Sequence, residues 1–337
     1  MDNSGECRQD EFAATGIDGC AYATVDRALD ERTIGHNPER LCLLKGGIVY
    51  SSAVTTVSPT YAKETLEGGS AGWLQSTLAR PEISAKYMGI LNGIDTNIWN
   101  PAVDPYLPAC FSSDLPEGKA LCKKYLQRGL GMSEDPGKPL VAVISRLVPQ
   151  KGIHLIERAV IKTDESLGQF VLLGTGHASG GLQSMANNDY VNNKDIAMLF
   201  MYSDPLSHLI YAAADILIVP SMFEPCGLTQ MIALRYGCVP IVRSTGGLAD
   251  TIRDVEMSNL QTDENTYLSP ENGNGFVFHG VDARSLDVAM DRAFEMYNSE
   301  PSKWTALSLR NMEESNRWSW DGAAASYEQL YSGVIDQ

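Results

Sequence analysis

From Pro139 onward the chain alternates short apolar segments with helical ones, and this rhythm leaves few folds open. Strands are predicted over 140–144, 170–173, 196–200, 216–219 and 239–242, and helices over 153–161, 206–213, 228–236 and 248–254, with a weaker helical segment near 182–187. The strand segments are apolar on both faces and rich in β-branched residues, as strands covered by helices on both sides must be. Regular alternation of this kind implies parallel βαβ units wound into a doubly wound sheet, an α/β fold. A short strand over 275–278 and helices over 283–297, 301–316 and 321–335 follow.

The part before Pro139 reads differently. Residues 1–32 are polar and aperiodic and are expected to be irregular, with disorder at the start. Segments 47–50 and 53–57 are β-rich, a short helix is predicted over 60–66, and 87–91 reads as a strand ended by Asn92-Gly93. A helix is predicted over 119–130. The expected organisation is therefore 1–32 irregular, 33–88 a small partial unit, 89–316 a complete domain and 317–337 a closing helix. Trp318 and Trp320 are expected to pack that helix.

A formal net charge of −16 argues against nonspecific binding to nucleic acid or an anionic membrane. No segment reaches the length of a transmembrane helix. The first 40 residues have no apolar core for a secretory signal, and they are too rich in Asp and Glu for a transit peptide. The seven cysteines are scattered, odd in number and without a C-x-x-C pair. Neither a disulfide framework nor a zinc site is expected, and a reducing compartment fits. The five histidines are isolated, so no metal site is expected; His154 and His208 lie inside helical runs and read as structural.

The residues with the most chemistry sit where strands give way to helices, the edge at which open α/β sheets bind ligands. Arg146 and Lys151 flank the turn Ser145-Arg146-Leu147-Val148-Pro149-Gln150-Lys151-Gly152, placed to share one phosphate group with a helix N-terminus. Alone, this reads first as a solvated basic turn, and Glu224 at the matching edge tips it toward a site. Glu224 lies just beyond the strand 216–219, in the stretch Ser221-Met222-Phe223-Glu224-Pro225-Cys226-Gly227-Leu228-Thr229-Gln230, held extended by the proline after it. Its functional role would be hydrogen bonding to sugar hydroxyls or stabilising positive charge at an anomeric carbon; a helix-capping acid is the competing role. Together the three suggest a site for a sugar carried on a diphosphate.

Thr229 and the amides of Gly227 and Leu228 are candidates to hold phosphate oxygens. Thr245-Gly246-Gly247-Leu248 is a second glycine turn before a helix, a backbone nest suited to anions. Gly174-Thr175-Gly176 is a weaker case, because tight βα turns need glycine anyway. Tyr202 follows a strand and is placed either to stack on a nucleobase or to pack at a core boundary. Cys226 lies within the key loop with nothing nearby to make it a nucleophile.

This combination resembles the glycogen and starch synthase family of retaining GT-B glucosyltransferases. The motifs that carry it are Lys45-Gly46-Gly47-Ile48-Val49-Tyr50, Thr55-Thr56-Val57-Ser58-Pro59, Gly89-Ile90-Leu91-Asn92-Gly93-Ile94-Asp95 with Trp99-Asn100-Pro101, Arg146 through Gly152, Phe223 through Gln230, and Thr245 through Leu248. They run in family order from about 33 to 335 and are most similar to plant and algal soluble starch synthases of the class III/IV type.

The resemblance implies transfer of glucose from ADP-glucose to the non-reducing end of an α-1,4-glucan, with retention, no metal, no cofactor and a plastid location. It assigns Arg146 and Lys151 to the phosphates and Glu224 to the sugar. It places Cys226, Gly227, Leu228 and Thr229 in the donor loop and Tyr202 against the adenine. A glutamate that many retaining GT-B enzymes carry eight residues beyond the first is here Ile232. The family's Lys-x-Gly-Gly-Leu loop does not occur in this chain, and the resemblance finds no match for the aspartate and His-Asn motifs of its N-terminal lobe. The expectation is one complete Rossmann-like lobe with a remnant of the other, an N-terminally truncated form. Made alone, such a chain is expected to bind ADP or ADP-glucose weakly and to elongate glucan poorly. It is also expected to associate through apolar surface on the remnant. The alternative is an inactive module, derived from a starch synthase, that binds a nucleotide sugar or a partner.

Overall fold

The computed structural model describes residues 6–17, 40–67, 71–256 and 273–335. Its contacts divide the chain into two units, one running to Leu91 and resuming at Ala324, the other spanning Asn92–Ala323.

The first unit opens with strand β1, Glu6–Arg8, and helix α1, Gln9–Ala13. Both fall in the stretch expected to be irregular. β1 pairs antiparallel with β2, Arg40–Cys42, and Glu11 caps α1 by accepting from the Arg8 amide at 2.9 Å. Partners distant in sequence thus order residues whose own pattern is polar. Residues 1–5 and 18–32 of the same stretch lie outside the described residues.

Residues 47–50, expected as β, instead complete helix α2, Leu43–Tyr50. The Cys42 thiol accepts from the Lys45 amide at 3.4 Å. Lys45 and Ile48, one turn apart, are both buried, and packing of that face overrides the β preference of Ile48 and Val49. β3, Val54–Thr56, pairs in parallel with β4, Tyr87–Gly89. Between them lie α3, Pro59–Glu67, and the short α4, Gln75–Leu78, and α5, Pro81–Ser84.

The second unit begins with α6, Glu117–Gly129. Six parallel strands follow: β5, Leu140–Arg146; β6, Gln169–Thr175; β7, Ile196–Leu199; β8, Ile216–Val219; β9, Val239–Arg243; and β10, Phe276–Phe278. The helices that join the first five are α7, Ile153–Glu165; α8, Gly180–Asn188; α9, Asp204–Ala213; and α10, Thr229–Arg235. α11, Gly246–Thr251, lies between β9 and β10. The spatial order β7-β6-β5-β8-β9-β10 is the 3-2-1-4-5-6 order of the doubly wound fold, with its switch point between β5 and β8. α12, Ala283–Ser299, and α13, Pro301–Glu314, follow the sheet. The chain closes with α14, Trp320–Ile335. Trp318 is buried, whereas Trp320, expected to pack with it, is half exposed.

The core explains the strands' composition. Leu140, Val141 and Val143 of β5 and Phe170 and Leu172 of β6 are sealed from solvent. Each such side chain contributes roughly 1.5–3 kcal/mol of burial. Asp215 fixes the amino end of β5 by accepting from the Leu140 amide at 2.8 Å and from Lys123 at 2.7 Å. Arg158 of α7 clamps Asp287 of α12 at 2.8 Å.

Candidate functional site

β5 delivers Arg146 at its carboxyl end, and the chain then turns within six residues into α7. Leu147, fully buried, anchors the turn, and its amide donates to the Thr175 carbonyl at 2.9 Å. Pro149–Lys151 forms a single 3₁₀ turn, and Gly152 leaves it in the left-handed region at φ 69°. A Cβ on Gly152 would stand 2.2 Å from the Pro220 carbonyl oxygen. Only glycine lets this turn approach the end of β8 so closely.

That approach joins two rims of the switch point. The Met222 amide donates to the Gln150 carbonyl at 2.7 Å, and the Gln150 side-chain amide donates to the Phe223 carbonyl at 3.1 Å. The Lys151 ammonium forms an ion pair with Glu224 Oε2. The same oxygen accepts from the Ser221 hydroxyl at 2.9 Å. The Glu224 carbonyl accepts from the Gly247 amide at 2.9 Å. Arg243, at the end of β9, donates from Nε to the Ser221 carbonyl at 2.8 Å and from Nη2 to the Met222 carbonyl.

Lys151 and Glu224, 73 residues apart in sequence, are therefore in direct contact. Arg146, exposed at the other end of the same turn, lines a cavity of ≈ 300 Å³ with Thr175, Tyr202, Trp99, Tyr211 and Ile232. Tyr202 is 80% exposed, so its ring stands as an open face at the cavity rather than as core. Thr229 begins α10, and its side chain hydrogen-bonds Tyr211, whose hydroxyl burial keeps neutral. Leu228 is exposed, and Gly227 is left-handed at φ 70°.

Cys226 is buried. Burial pushes its thiol pKa up against a hydrogen bond from the Asn92 backbone, which disfavours the thiolate a nucleophile needs. The Thr245-Gly246-Gly247 turn differs from the anion nest expected. Thr245 is buried, and the Gly247 and Leu248 amides donate to the Glu224 and Thr245 carbonyls. A Cβ on Gly247 would overlap the Cys226 carbonyl oxygen at 1.8 Å. The turn braces the Glu224 loop with its backbone.

Three contributors escape the sequence reading: Ser221, Gln150 and Arg243. All three sit at strand ends or turns already singled out. Both Gln150 and Arg243 act on backbone carbonyls, which carry no sequence signal. His154 and His208 have structural partners: His154 bonds the Val281 carbonyl at 2.8 Å, and His208 bonds buried Asp104 at 2.7 Å and stacks on Trp99. Among the described residues no cluster of three or more His, Cys, Asp or Glu is arranged to hold a metal, and no helix is long and apolar enough to cross a membrane.

A larger cavity, ≈ 500 Å³, lies at the amino ends of the strands against Lys119, Lys123, Asp215 and Tyr297. Two of its lysines, Lys119 and Lys123, are already committed. Lys123 donates to Asp215 and to the Lys138 carbonyl, and Lys119 to the carbonyls of Ala212, Ala214 and Tyr236. Size alone does not make it the site, and none of the candidate residues lines it.

A six-stranded parallel sheet of this order, with an acid and two cations at its carboxyl rim, is a Rossmann-like lobe of the GT-B glycosyltransferase fold. The chain belongs to the family described as glycosyl transferases group 1, whose model matches residues 132–305. A second model, starch synthase catalytic domain, matches residues 2–80. The chain is 41% identical to a glycogen synthase of Protochlamydia amoebophila over 99% of its own length and 66% of that protein. It is 42% identical to the protein named "Probable starch synthase 4, chloroplastic/amyloplastic" of Arabidopsis thaliana, covering 99% of this chain and 31% of that one. The solved catalytic domain of starch synthase IV from Arabidopsis thaliana, bound to ADP and acarbose, superposes with a TM-score of 0.88 at 40% identity, covering 99% of this chain and 65% of that structure. The chain thus spans less than two thirds of each of these relatives.

Proposed function

We propose that the chain acts as a starch (glycogen) synthase-like glucosyltransferase that moves glucose from ADP-glucose to the non-reducing end of an α-1,4-glucan, with retention. The observation that carries this reading is the contact of Lys151 with Glu224 at the switch point, one turn from Arg146 and its cavity. In this reading Tyr202 stacks on the adenine. Arg146, Lys151 and the amino end of α7 take the diphosphate, since both charge and helix dipole favour an anion there. Glu224 faces the glucosyl group, and the segment Cys226-Gly227-Leu228-Thr229 frames the donor, with Thr245, Gly246 and Gly247 behind it.

As the bond from the anomeric carbon to the diphosphate breaks, its electron pair leaves with ADP, and the two cations stabilise the charge that develops. The acceptor hydroxyl forms the new bond on the same face of the sugar and gives up its proton to the departing phosphate.

The first unit is read as part of the N-terminal lobe, supported by the starch synthase match over residues 2–80. Leu43, Leu44 and Tyr50, exposed on α2, are the apolar material through which it would associate; sedimentation checks that. A plastid location belongs to the same proposal and rests on the plant relative; fractionation of the source cells checks it.

Calorimetric titration tests the central claim. ADP is expected to bind saturably and more tightly than UDP, and Arg146→Ala to weaken it about tenfold or more. Labelled glucose from ADP-glucose is expected in the glucan fraction. Binding without incorporation selects the inactive binding module instead, and no binding of ADP overturns both.

A further inference from the structure

We infer that Arg243 is a positioning residue for Glu224, and that it governs how the site engages the glucosyl group rather than the nucleotide. The inference rests on the reading of Glu224 as the sugar-facing acid. Arg243 ends β9, one strand away from the loop it holds. Its guanidinium spans two consecutive carbonyls, those of Ser221 and Met222. Ser221 is the residue whose hydroxyl holds Glu224 Oε2 at 2.9 Å. The path from Arg243 to the carboxylate is thus two hydrogen bonds and one residue long.

The remaining backbone of the loop is held from other elements. Gln150 takes the Met222 amide and the Phe223 carbonyl, and Gly247 takes the Glu224 carbonyl. Removing Arg243 therefore leaves the loop tethered at its far end but free to rotate at Ser221, the residue that aims the acid. The planar fork of arginine fits two adjacent carbonyls, whereas a lysine ammonium holds one of them as a point charge. None of these bonds touches Arg146 or Tyr202, and Lys151 is reached only indirectly, through its pair with Glu224, so the change falls mainly on the sugar side of the site.

The test is titration of the whole chain with ADP and, separately, with ADP-glucose, for the parent, Arg243→Met, Arg243→Lys, Ser221→Ala and Glu224→Gln, and for Arg243→Met combined with Glu224→Gln. Arg243→Met is expected to leave the ADP dissociation constant within about twofold and to weaken ADP-glucose about tenfold, with Arg243→Lys in between. Ser221→Ala is expected to follow Arg243→Met in sign. In the Glu224→Gln background Arg243→Met is expected to have no further effect, because the acid it aims is gone. Equal weakening of both ligands, or of neither, or full additivity with Glu224→Gln, would overturn the inference. A parent chain that binds neither ligand would instead overturn the function on which it rests.

Discussion

Glu224 holds a carboxylate nearly out of solvent with one cation, Lys151, and one hydroxyl, Ser221, on the same oxygen. An ion taken out of water costs several kcal/mol unless it is paired, and removing one partner of such a pair is worse than removing both. Lys151→Met is therefore expected to destabilise the protein by about 2–3 kcal/mol in urea unfolding. Adding Glu224→Gln to that variant relieves the unpaired charge, so the double variant is expected to be more stable than Lys151→Met alone. A pair dominated by solvent would give changes below about 1 kcal/mol in both cases, and that result would remove the electrostatic account of the contact. Function moves the other way. Glu224→Gln alone is expected to lower glucosyl transfer about 10²–10³-fold while costing less stability than Lys151→Met, because the lysine left unpaired is the more exposed partner, 17% against 9%, and can turn its charge toward water. The same oxygen thus answers to two measurements that need not agree, and their separation distinguishes a site residue from a merely structural ion.

The β5–α7 connection meets the end of β8 through Gly152, and the element-scale consequence is steric. Gly152→Ala places a side chain on a left-handed residue and a Cβ 2.2 Å from the Pro220 carbonyl. It is expected to cost about 2–4 kcal/mol and to weaken ADP, because Lys151 moves with the turn. Gly152→Asn tolerates the left-handed conformation but keeps the Cβ, so it is expected to be as damaging. Gly180→Ala, at the start of α8 with open space around it, is expected to stay within about 1 kcal/mol of the parent. Urea unfolding of the three variants decides between overlap and backbone preference. This is also where sequence reading reaches its limit. The buried strands were legible because parallel strands covered on both faces need unbroken apolar runs, as at 140–144 within β5. The turns were legible because glycine and proline mark them. α2 was not, since Ile48 and Val49 carry a β signature that the buried Lys45–Ile48 face overrides. Nor were the roles of Ser221 and Arg243. The partner of Arg243 is a carbonyl 22 residues away, and a carbonyl looks the same in every residue.

At the scale of the whole molecule, titrating groups bound stability on both sides of neutrality, and the sign differs on each. Burial works against the Asp254 carboxylate, but Arg292 and the amides of Glu256 and Val277 outweigh it and hold its pKa below the ordinary value. Asp195 is likewise lowered: burial opposes, and Lys138 and Gln169 prevail. A depressed folded pKa means that the unfolded chain binds more protons in acid. These groups therefore contribute stability above the unfolded carboxylate value of about 3.9 and lose it as pH falls through the folded one. On the alkaline side burial pushes the Cys238 thiol up to about 11. Its Sγ–H donates to the carbonyls of Tyr211 and Ala214 at 2.9 and 3.0 Å. An unfolded cysteine ionises near about 8.5, so this contribution is complete below that value and is lost as pH rises toward the folded pKa. Tyr236 and Tyr297, raised chiefly by burial, extend the loss beyond the tyrosine value of about 10. Cys238→Ala shifts stability by a constant amount at every pH through lost packing, so its height is uninformative and its slope is the readout. Between pH of about 8.5 and the folded thiol value the variant is expected to lose less stability per pH unit than the parent, by up to about 1.4 kcal/mol, with the acid limb unchanged. Asp254→Asn is expected to do the reverse, flattening the acid limb and sparing the alkaline one. Urea midpoints taken across the range at fixed ionic strength separate the two. An alkaline slope unaltered in Cys238→Ala would show that the thiol ionises as readily in the folded protein as in the unfolded chain, and that β9 begins in a place water can reach.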